Sequence, residues 1–285
     1  MMPAALTLVL GAVAYDPKVV TIWDGFQAWF GKHGLAFDYV LYSNYERQVA
    51  GHLAGECHIA WNSPLAWIEA ERAAALGGRR ARAVAMRDTD RDLTSIVVVR
   101  ADGPVRSLRD LTGRVVAVGA SDSPQATLLP LLHLAEAGVE PGRDCEVQRH
   151  DVLVGKHGDH VGGEREAVQA LIAGRADAAC MIDGNHLAFS NEGTIPAGST
   201  RVLARTAPYD HCNVTVLDDA PAGLVERFTS LLLGMSWDDP EVRPLLEMEG
   251  LKKWLPGRVT GYAPLNRAVD RFRSIEGFIA AIRAR

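Results

Sequence analysis

Short apolar runs rich in β-branched residues alternate with amphipathic segments along most of this chain, and that alternation limits the possible folds more than any other feature. Leu6–Ala14 reads as a first strand. Trp23–His33 reads as a helix with Ile22, Phe26, Trp29 and Phe30 on one face and Gly34 as its stop. Phe37–Tyr42, Cys57–Trp61 and Arg82–Arg87 follow as strands, separated by helices over Tyr45–Ala54 and Leu65–Leu76. A second series has strands at Thr94–Arg100, Val115–Val118, Asp144–His150 and Ala178–Ile182, with a helix over Glu164–Ala173. Further on, Arg201–Ala204 and Val214–Leu217 read as extended. The tail reads as helical over Gly223–Leu233, Glu241–Glu249 and Leu265–Ala284. Strand–helix alternation of this kind predicts an α/β fold with mostly parallel sheets flanked by helices.

At 285 residues the chain has room for one large domain or two ordinary ones. Its 48% hydrophobic and 23% charged content is that of a soluble globular protein. A net charge of −5 and the lack of any Lys/Arg-rich run argue against nucleic acid as a partner. No apolar stretch reaches the roughly 18 residues a bilayer span requires, so no membrane insertion is expected. Met1–Ala14 has the apolar character and small-residue exit of a secretion signal but no Lys or Arg ahead of the apolar run, and Leu6–Ala14 within it reads better as the first strand. The expected compartment is periplasmic or extracellular if a leader was removed, and cytoplasmic if this is the full native chain. Cys57, Cys145, Cys180 and Cys212 are too sparse for a disulfide scaffold and are expected as buried thiols.

Val115–Pro130 is a strand that feeds a helix through a small polar turn. Ser123 can cap that helix, Pro124 opens it, and Pro130 should kink it. Backbone N–H groups at such a helix start attract anions, though the turn has neither a Gly-Lys-Ser/Thr ending nor a GxGxxG pattern, and helix capping alone accounts for it equally well. Tyr15 and Trp61 stand at predicted strand ends, where doubly wound folds hold ligands, and they can equally be core aromatics. Lys156–His160 carries His157 and His160 in glycine-rich surroundings that read as a mobile loop. Metal ligation by that pair is chemically possible, but no metal is expected. In Tyr209–Asn213, Cys212 beside His211 could be a reactive thiol. Neighbours in a strand point to opposite faces, so His211 need not touch Cys212; a ligand role for His211 or Asn213 is the third possibility.

His52–Trp61 and Leu171–Cys180 share one pattern: a helix end, a glycine stop, then a strand of small residues. Two similar α/β halves suggest two lobes with a ligand cleft between them. The expected boundaries are residues 1–95 with 204–285 for the first lobe and 96–203 for the second.

Ala60-Trp-Asn-Ser-Pro-Leu-Ala66, Asp110-Leu-Thr-Gly-Arg-Val-Val-Ala117, Ser123–Pro130, Ala137-Gly-Val-Glu-Pro141, Ala173-Gly-Arg-Ala-Asp-Ala-Ala179 and Gly261-Tyr262 together give the chain a family likeness. In order and spacing it resembles the phosphate/phosphite/phosphonate substrate-binding proteins of ABC importers, which have the type II periplasmic-binding-protein fold. The resemblance implies two lobes that close on one small ligand. It also implies that Ser123-Pro-Gln-Ala-Thr127 occupies the place of a Ser-Thr-Ser-Gly-Tyr-like run that holds phosphonate oxygens. Ser123 matches that run, whereas Pro124 and Gln125 replace hydroxyl residues and Pro124 removes a donor. Gln125, both donor and acceptor, suits a carboxylate, amide or heterocycle as readily as a phosphonate. By the same resemblance Ala126 and Thr127 join this set, and Tyr15, Trp61, Asn62 and Ser63 line the other lobe. His157 or His160 falls near a family histidine, and Asp183 near an acidic position that would pair with a ligand amine. His58 stands where the family has an acidic residue.

These features predict a non-catalytic solute-binding protein for a small polar or anionic ligand. It would serve an ABC permease or a sensor, act as a monomer and use no cofactor. The alternative is a cytoplasmic enzyme of small-molecule or cofactor biosynthesis built on the same fold.

Overall fold

The computed structural model describes residues 6–159 and 161–284. In chain order it contains β1 (Leu8–Val13), α1 (Lys18–Lys32), β2 (Phe37–Tyr42), α2 (Tyr45–Leu53), β3 (Ile59–Asn62), α3 (Pro64–Leu76) and β4 (Ala81–Arg87). Next come β5 (Ser95–Arg100), β6 (Val115–Val118), α4 (Leu129–Glu136), β7 (Glu146–Arg149), α5 (Glu164–Ile172), β8 (Ala178–Ile182), α6 (Asp183–Asn191) and β9 (Thr200–Arg205). The chain ends with β10 (Asn213–Leu217), α7 (Ala222–Leu233), α8 (Arg243–Glu249), β11 (Trp254–Pro256), α9 (Ala263–Phe272) and α10 (Glu276–Arg283). Met1–Ala5, ahead of the predicted first strand, lie outside the described residues.

Two compact units result. The first runs through Arg91 and resumes over Asp210–Gly261 and from Ile275 onward; the second is Asp92–Tyr209 with Tyr262–Ser274. The predicted tail helix is two helices, because Arg273 adopts a left-handed φ of +53° and ends α9.

The first unit's sheet has the strand order β11-β4-β10-β3-β1-β2. β1 pairs in parallel with β2 and β3, while β10 runs antiparallel to β3 and β4, as does β11 to β4. One face carries α1, whose Val19, Ile22, Trp23, Phe26, Trp29 and Phe30 recur at helical spacing and pack with Leu8, Leu10, Phe228 and Trp254. Burying each such side chain stabilises the unit by about 1.5–3 kcal/mol. The opposite face gathers Val13, Tyr45, Val49, Ala66 and Ala70, with Phe278 of α10 against them.

The second unit's sheet has the order β7-β6-β8-β5-β9, parallel except for β5, which runs against β8 and β9. Ile96 and Val98 face α5, whereas Val97 and Val99 face α4. Both faces are dry, which is why β5 reads as a continuous apolar run rather than an alternating one. Both sheets are therefore mixed. β5 and β10 are the strands that follow a passage from one unit to the other, so no βαβ crossover sets their direction.

The internal similarity has a structural counterpart. In the first unit His58 Nδ1 accepts the Val9 amide of β1 at 2.9 Å, and the His58 amide returns a bond to the Val9 carbonyl. In the second, Asp177 Oδ2 accepts the Val115 amide of β6 at 3.1 Å, and the Asp177 amide returns a bond to Val115. An unprotonated ring nitrogen does for one unit what a carboxylate does for the other.

Candidate ligand-binding site

The predicted turn after β6 owes its form to two prolines. Pro130 lacks an N–H, so the carbonyl of Ala126 would be orphaned in a regular helix. The chain instead makes a π-helical turn over Pro124–Leu128 before α4 begins. The Leu128 amide reaches back to the Ser123 carbonyl at 3.0 Å, and the Leu129 amide to that of Pro124. The released carbonyls find other donors. Ala126 O accepts from the Gly119 amide at 3.2 Å, and Gln125 O accepts from the Ser95 hydroxyl at 2.6 Å. Because Ser95 donates its only hydroxyl proton to Gln125, Tyr209 must donate in its 2.8 Å contact with Ser95 Oγ. A chain of donors, Tyr209 to Ser95 to Gln125, thus ties the turn to β5.

Pro124 has no N–H, the Ala126 amide goes to Ser123 Oγ at 3.2 Å, and the Thr127 amide goes to the Ser123 carbonyl. Ser123 acts as a cap that takes the Ala126 and Thr127 amides, whereas the Thr127 hydroxyl has no partner.

The glycine-rich segment lies against this turn. Gln125 Nε2 donates to Gly158 O at 2.8 Å, and the Ala120 amide donates to Gly162 O. A Cβ on Gly119 would sit 2.3 Å from Gly162 O, and one on Gly158 would sit 2.5 Å from Ser123 Cβ. His157 and Asp159 are buried here, not displayed on an open loop. His160 lies outside the described residues.

Gly163, with φ +84°, leads into Glu164, a fully buried carboxyl at the start of α5. Glu164 Oε2 accepts from Asn185 Nδ2 at 2.7 Å and from the Ile182 amide at 3.2 Å, whereas Oε1 has no partner. Burial pushes its pKa up to about 8, against the opposing effect of those two bonds. Glu164 and the Tyr209–Ser95–Gln125 chain belong to the same set of strand ends. Burial pushes the Tyr209 ionisation far up, and the Glu164 and Asp183 charges add to it. Gln125 Oε1 and Thr127 Oγ1 are likewise buried without partners. Asp183, the expected partner of a ligand amine, keeps a partly exposed carboxylate. It accepts from Thr94 Oγ1 at 2.8 Å and is paired with Arg205.

The first unit's strand ends carry a second cluster. Arg87 donates to both oxygens of Asp90, at 2.6 and 2.9 Å, and to Glu249 O at 2.8 Å, with its guanidinium 5.2 Å from the Trp61 ring. Burial alone would raise the Asp90 pKa, but the Arg87 charge and hydrogen bonds outweigh it and hold the carboxyl well below the usual range. His211 Nδ1 lies 3.4 Å from Asp90 and 3.1 Å from Cys212 Sγ. His211 and Cys212 do touch, contrary to the strand argument, because both precede β10 and pleated alternation does not apply to them. Asp90, His211 and Cys212 could converge on an ion. The Arg87 guanidinium already supplies the positive charge at Asp90, however, which disfavours a metal cation there.

Trp61 is buried in edge contact with Trp254. Asn62 belongs to a buried network: it receives from Gln48 at 2.7 Å and donates to Thr215 at 2.8 Å, and Thr215 donates to Asn213. Ser63 caps α3. Tyr15, at the end of β1, is half-buried with Lys18 over its ring. The site residues thus fall into two sets, Tyr15, Trp61, Asn62, Ser63 and His211 in one unit and Ser123, Gln125, Ala126, Thr127, His157 and Asp183 in the other. Sequence reasoning passed over Ser95, Glu164 and Arg87. Only Glu164 had a legible signal, the Gly162-Gly163 pair that brings the backbone close to neighbouring chain.

The family model for periplasmic phosphonate substrate-binding proteins of ABC transporters matches residues 12–262. The chain belongs to this family. The resemblance read from its motifs holds, and with it a solute-binding function for an ABC importer rather than the enzyme alternative. PhnD1 from Prochlorococcus marinus, solved with methylphosphonate, superposes with a TM-score of 0.69 at 18% identity, covering 94% of this chain and 99% of that one. XAC2383 from Xanthomonas citri, solved with ATP, gives 0.67 at 18% identity, over 98% of each chain. The aliphatic sulphonate binding protein SsuA from Escherichia coli gives 0.58 at 16% identity, over 96% of this chain and 88% of that one. At such identities these structures share the fold, that of type II periplasmic binding proteins. No curated protein matches the chain. Among the described residues no helix is long and apolar enough to cross a membrane.

Proposed function

We propose that this family member captures a small polar solute at the strand ends of its second unit and delivers it to an ABC permease. The observation that carries the reading is that three buried polar side-chain atoms of this unit lack protein partners, Gln125 Oε1, Thr127 Oγ1 and Glu164 Oε1. Folded proteins pair nearly all such atoms, and a bound solute would satisfy them. Ser123 positions the turn, and Gln125, Ala126, Thr127 and His157 are the proposed contacts from this unit. In the first unit Tyr15, Trp61 and His211 stand at the strand ends, and Asn62 and Ser63 support β3. Periplasmic residence accompanies the reading, since the family is periplasmic, and a monomeric state is proposed with it.

Titration calorimetry and thermal shift on the full chain test it. Phosphonates and sulphonates head the panel, given the ligands named for PhnD1 and SsuA. Stoichiometric binding without turnover by mass spectrometry is expected, with a rise in Tm that Gln125→Ala removes. Product formation, or binding indifferent to Gln125→Ala, would overturn it.

A further inference from the structure

From a buried hydroxyl relay in the second unit, we infer that Tyr209 is a positioning residue for solute capture. It couples the turn at Gln125 to the segments by which the chain passes from one unit to the other. The inference deepens the site reading above and rests on it.

Gln125 faces two ways. Its side chain carries the unpartnered Oε1 that the reading gives to the solute, and its backbone carbonyl accepts the Ser95 hydroxyl at 2.6 Å. Ser95 has one hydroxyl proton, so in its 2.8 Å contact with Tyr209 the phenol donates. Ser95 is 0% exposed and Tyr209 1%, so bulk water replaces neither group. Reversing the relay would leave the Gln125 carbonyl and the phenolic proton both unmatched, at the cost of burying two bare polar groups. The relay therefore has one favourable direction while the turn keeps its shape, and hydrogen bonds in a buried series reinforce one another. A shift of the Gln125 carbonyl is transmitted to the Tyr209 hydroxyl.

The backbone of Tyr209 lies where the chain changes units. The second unit begins at Asp92, and its long segment ends at Tyr209, before the chain enters the first unit at Asp210. Leu93 and Tyr209 form an antiparallel bridge, each amide donating to the other's carbonyl, at 2.8 and 2.9 Å. On the other side of both passages the His211 amide donates to Asp90 O at 2.7 Å. The two passages are thus braced by backbone bonds and are not slack linkers. The Asp210 amide also donates to Gly261 O at 3.1 Å, beside the third passage at Gly261–Tyr262, and a Cβ on Gly261 would lie 2.1 Å from Asp210 Cγ. Asp92 holds a left-handed φ of +56°, which a residue with a side chain keeps only where its surroundings fix it. Little freedom remains there to absorb a movement of Tyr209, so the movement reaches the backbone angles of the passages, as in a hinge. Capture at Gln125 and the setting of the passages then form one equilibrium, and each biases the other to the same extent.

Tyr209→Phe removes the phenolic donor and keeps the ring. The test is calorimetry on the full chain with methylphosphonate, ethylphosphonate and ethanesulphonate, joined to hydrogen exchange by mass spectrometry with and without the probe that binds. In the wild type that probe should slow exchange both in residues 119–129 and at the Leu93 and Tyr209 amides. In Tyr209→Phe its affinity should fall at least about fivefold, and the slowing should persist in residues 119–129 but vanish at the Leu93–Tyr209 bridge. A hydroxyl that merely supports the fold would lower Tm and leave the response of the bridge intact. Ser95→Ala cuts the relay at its middle and should also lose affinity, and the double variant should bind no more weakly than Ser95→Ala alone. Circular dichroism and thermal unfolding establish that each variant is folded. A bridge that ignores the probe in the wild type, unchanged affinity or an undiminished bridge response in Tyr209→Phe, or losses that multiply in the double variant would overturn the inference and leave the site reading intact. Failure of all three probes, or binding indifferent to Gln125→Ala, would overturn both.

Discussion

The Ser95 hydroxyl donates to the Gln125 carbonyl at 2.6 Å, and this bond lets a proline-interrupted helix begin at the end of β6. Gln125 O is released by the π-helical turn, and Ser95 supplies the replacement donor from β5. Ser95→Ala would leave that carbonyl and the Tyr209 hydroxyl buried and unmatched. A loss of about 2–3 kcal/mol is expected, read as a lowered Tm and urea midpoint.

Two glycines separate close packing from mere composition. Gly119 has no room for a Cβ, since Gly162 O would lie 2.3 Å away and Ala126 Cβ 2.5 Å away. Gly119→Ala should destabilise by more than about 2 kcal/mol. Gly184, in α6, has nothing within 4 Å, and Gly184→Ala should be neutral or slightly stabilising. Equal effects in chemical denaturation would contradict the packing described.

Arg87 and Asp90 form a buried pair with its hydrogen bonds satisfied. Asp90→Asn or Arg87→Met removes one partner and should cost about 3–5 kcal/mol. Arg87 depresses the Asp90 pKa, so the native state binds this proton less readily than the unfolded chain does. Its stabilisation is full above the ordinary carboxylate range and is lost as pH falls below about 4. Acid unfolding of Asp90→Asn should lack this contribution.

Glu164 has the opposite sign. Its pKa rises from 4.5 to about 8 on folding, so the folded chain keeps a proton that the unfolded chain has lost. Stability should fall as pH rises across that window and level off above it, by on the order of a few kcal/mol. Glu164→Gln should flatten the profile and be the more stable protein at pH 9. A wild-type profile already flat between pH 5 and 9 would contradict the burial of this carboxyl.

His58 and Asp177 hold equivalent places in the two units, each accepting a strand amide. His58→Ala should cost about 1–2 kcal/mol, and His58→Asp should recover most of it by supplying another acceptor. Thermal unfolding of the pair checks this.

How much was legible follows from which interactions are local. Val115–Val118 and Phe37–Tyr42 match their strands, because apolar runs between turn residues are a property of adjacent positions. Gly34 and Gly55 mark helix ends through their positive φ. The start of α1 at Lys18, ahead of the expected Trp23, was missed although Asp16 Oδ1 accepts the Lys18 amide at 2.8 Å, an Asp-Pro helix start that the reading passed over. The reversed directions of β5 and β10 were also missed, since pairing partners lie far off in sequence.

The site shows the same division. Ser123 and Thr127 stand out locally as turn residues. That Ser123 spends its hydroxyl and carbonyl on its own turn, and that Gln125 spends its Nε2 on Gly158, depends on where a segment about thirty residues away comes to rest. Arg87 with Asp90, and Glu164 with Asn185, are unremarkable residues until burial raises the cost of leaving them unpaired.

By itself the sequence determined the α/β alternation, the repeated half-motif and the family, because periodicity, glycine stops and motif order are written along one dimension. Only the tertiary structure decided strand direction, the π-helical turn forced by Pro130, and which polar atoms remain without partners. Those outcomes depend on distant backbone groups competing for each donor and acceptor, and that competition is settled only when the chain has folded.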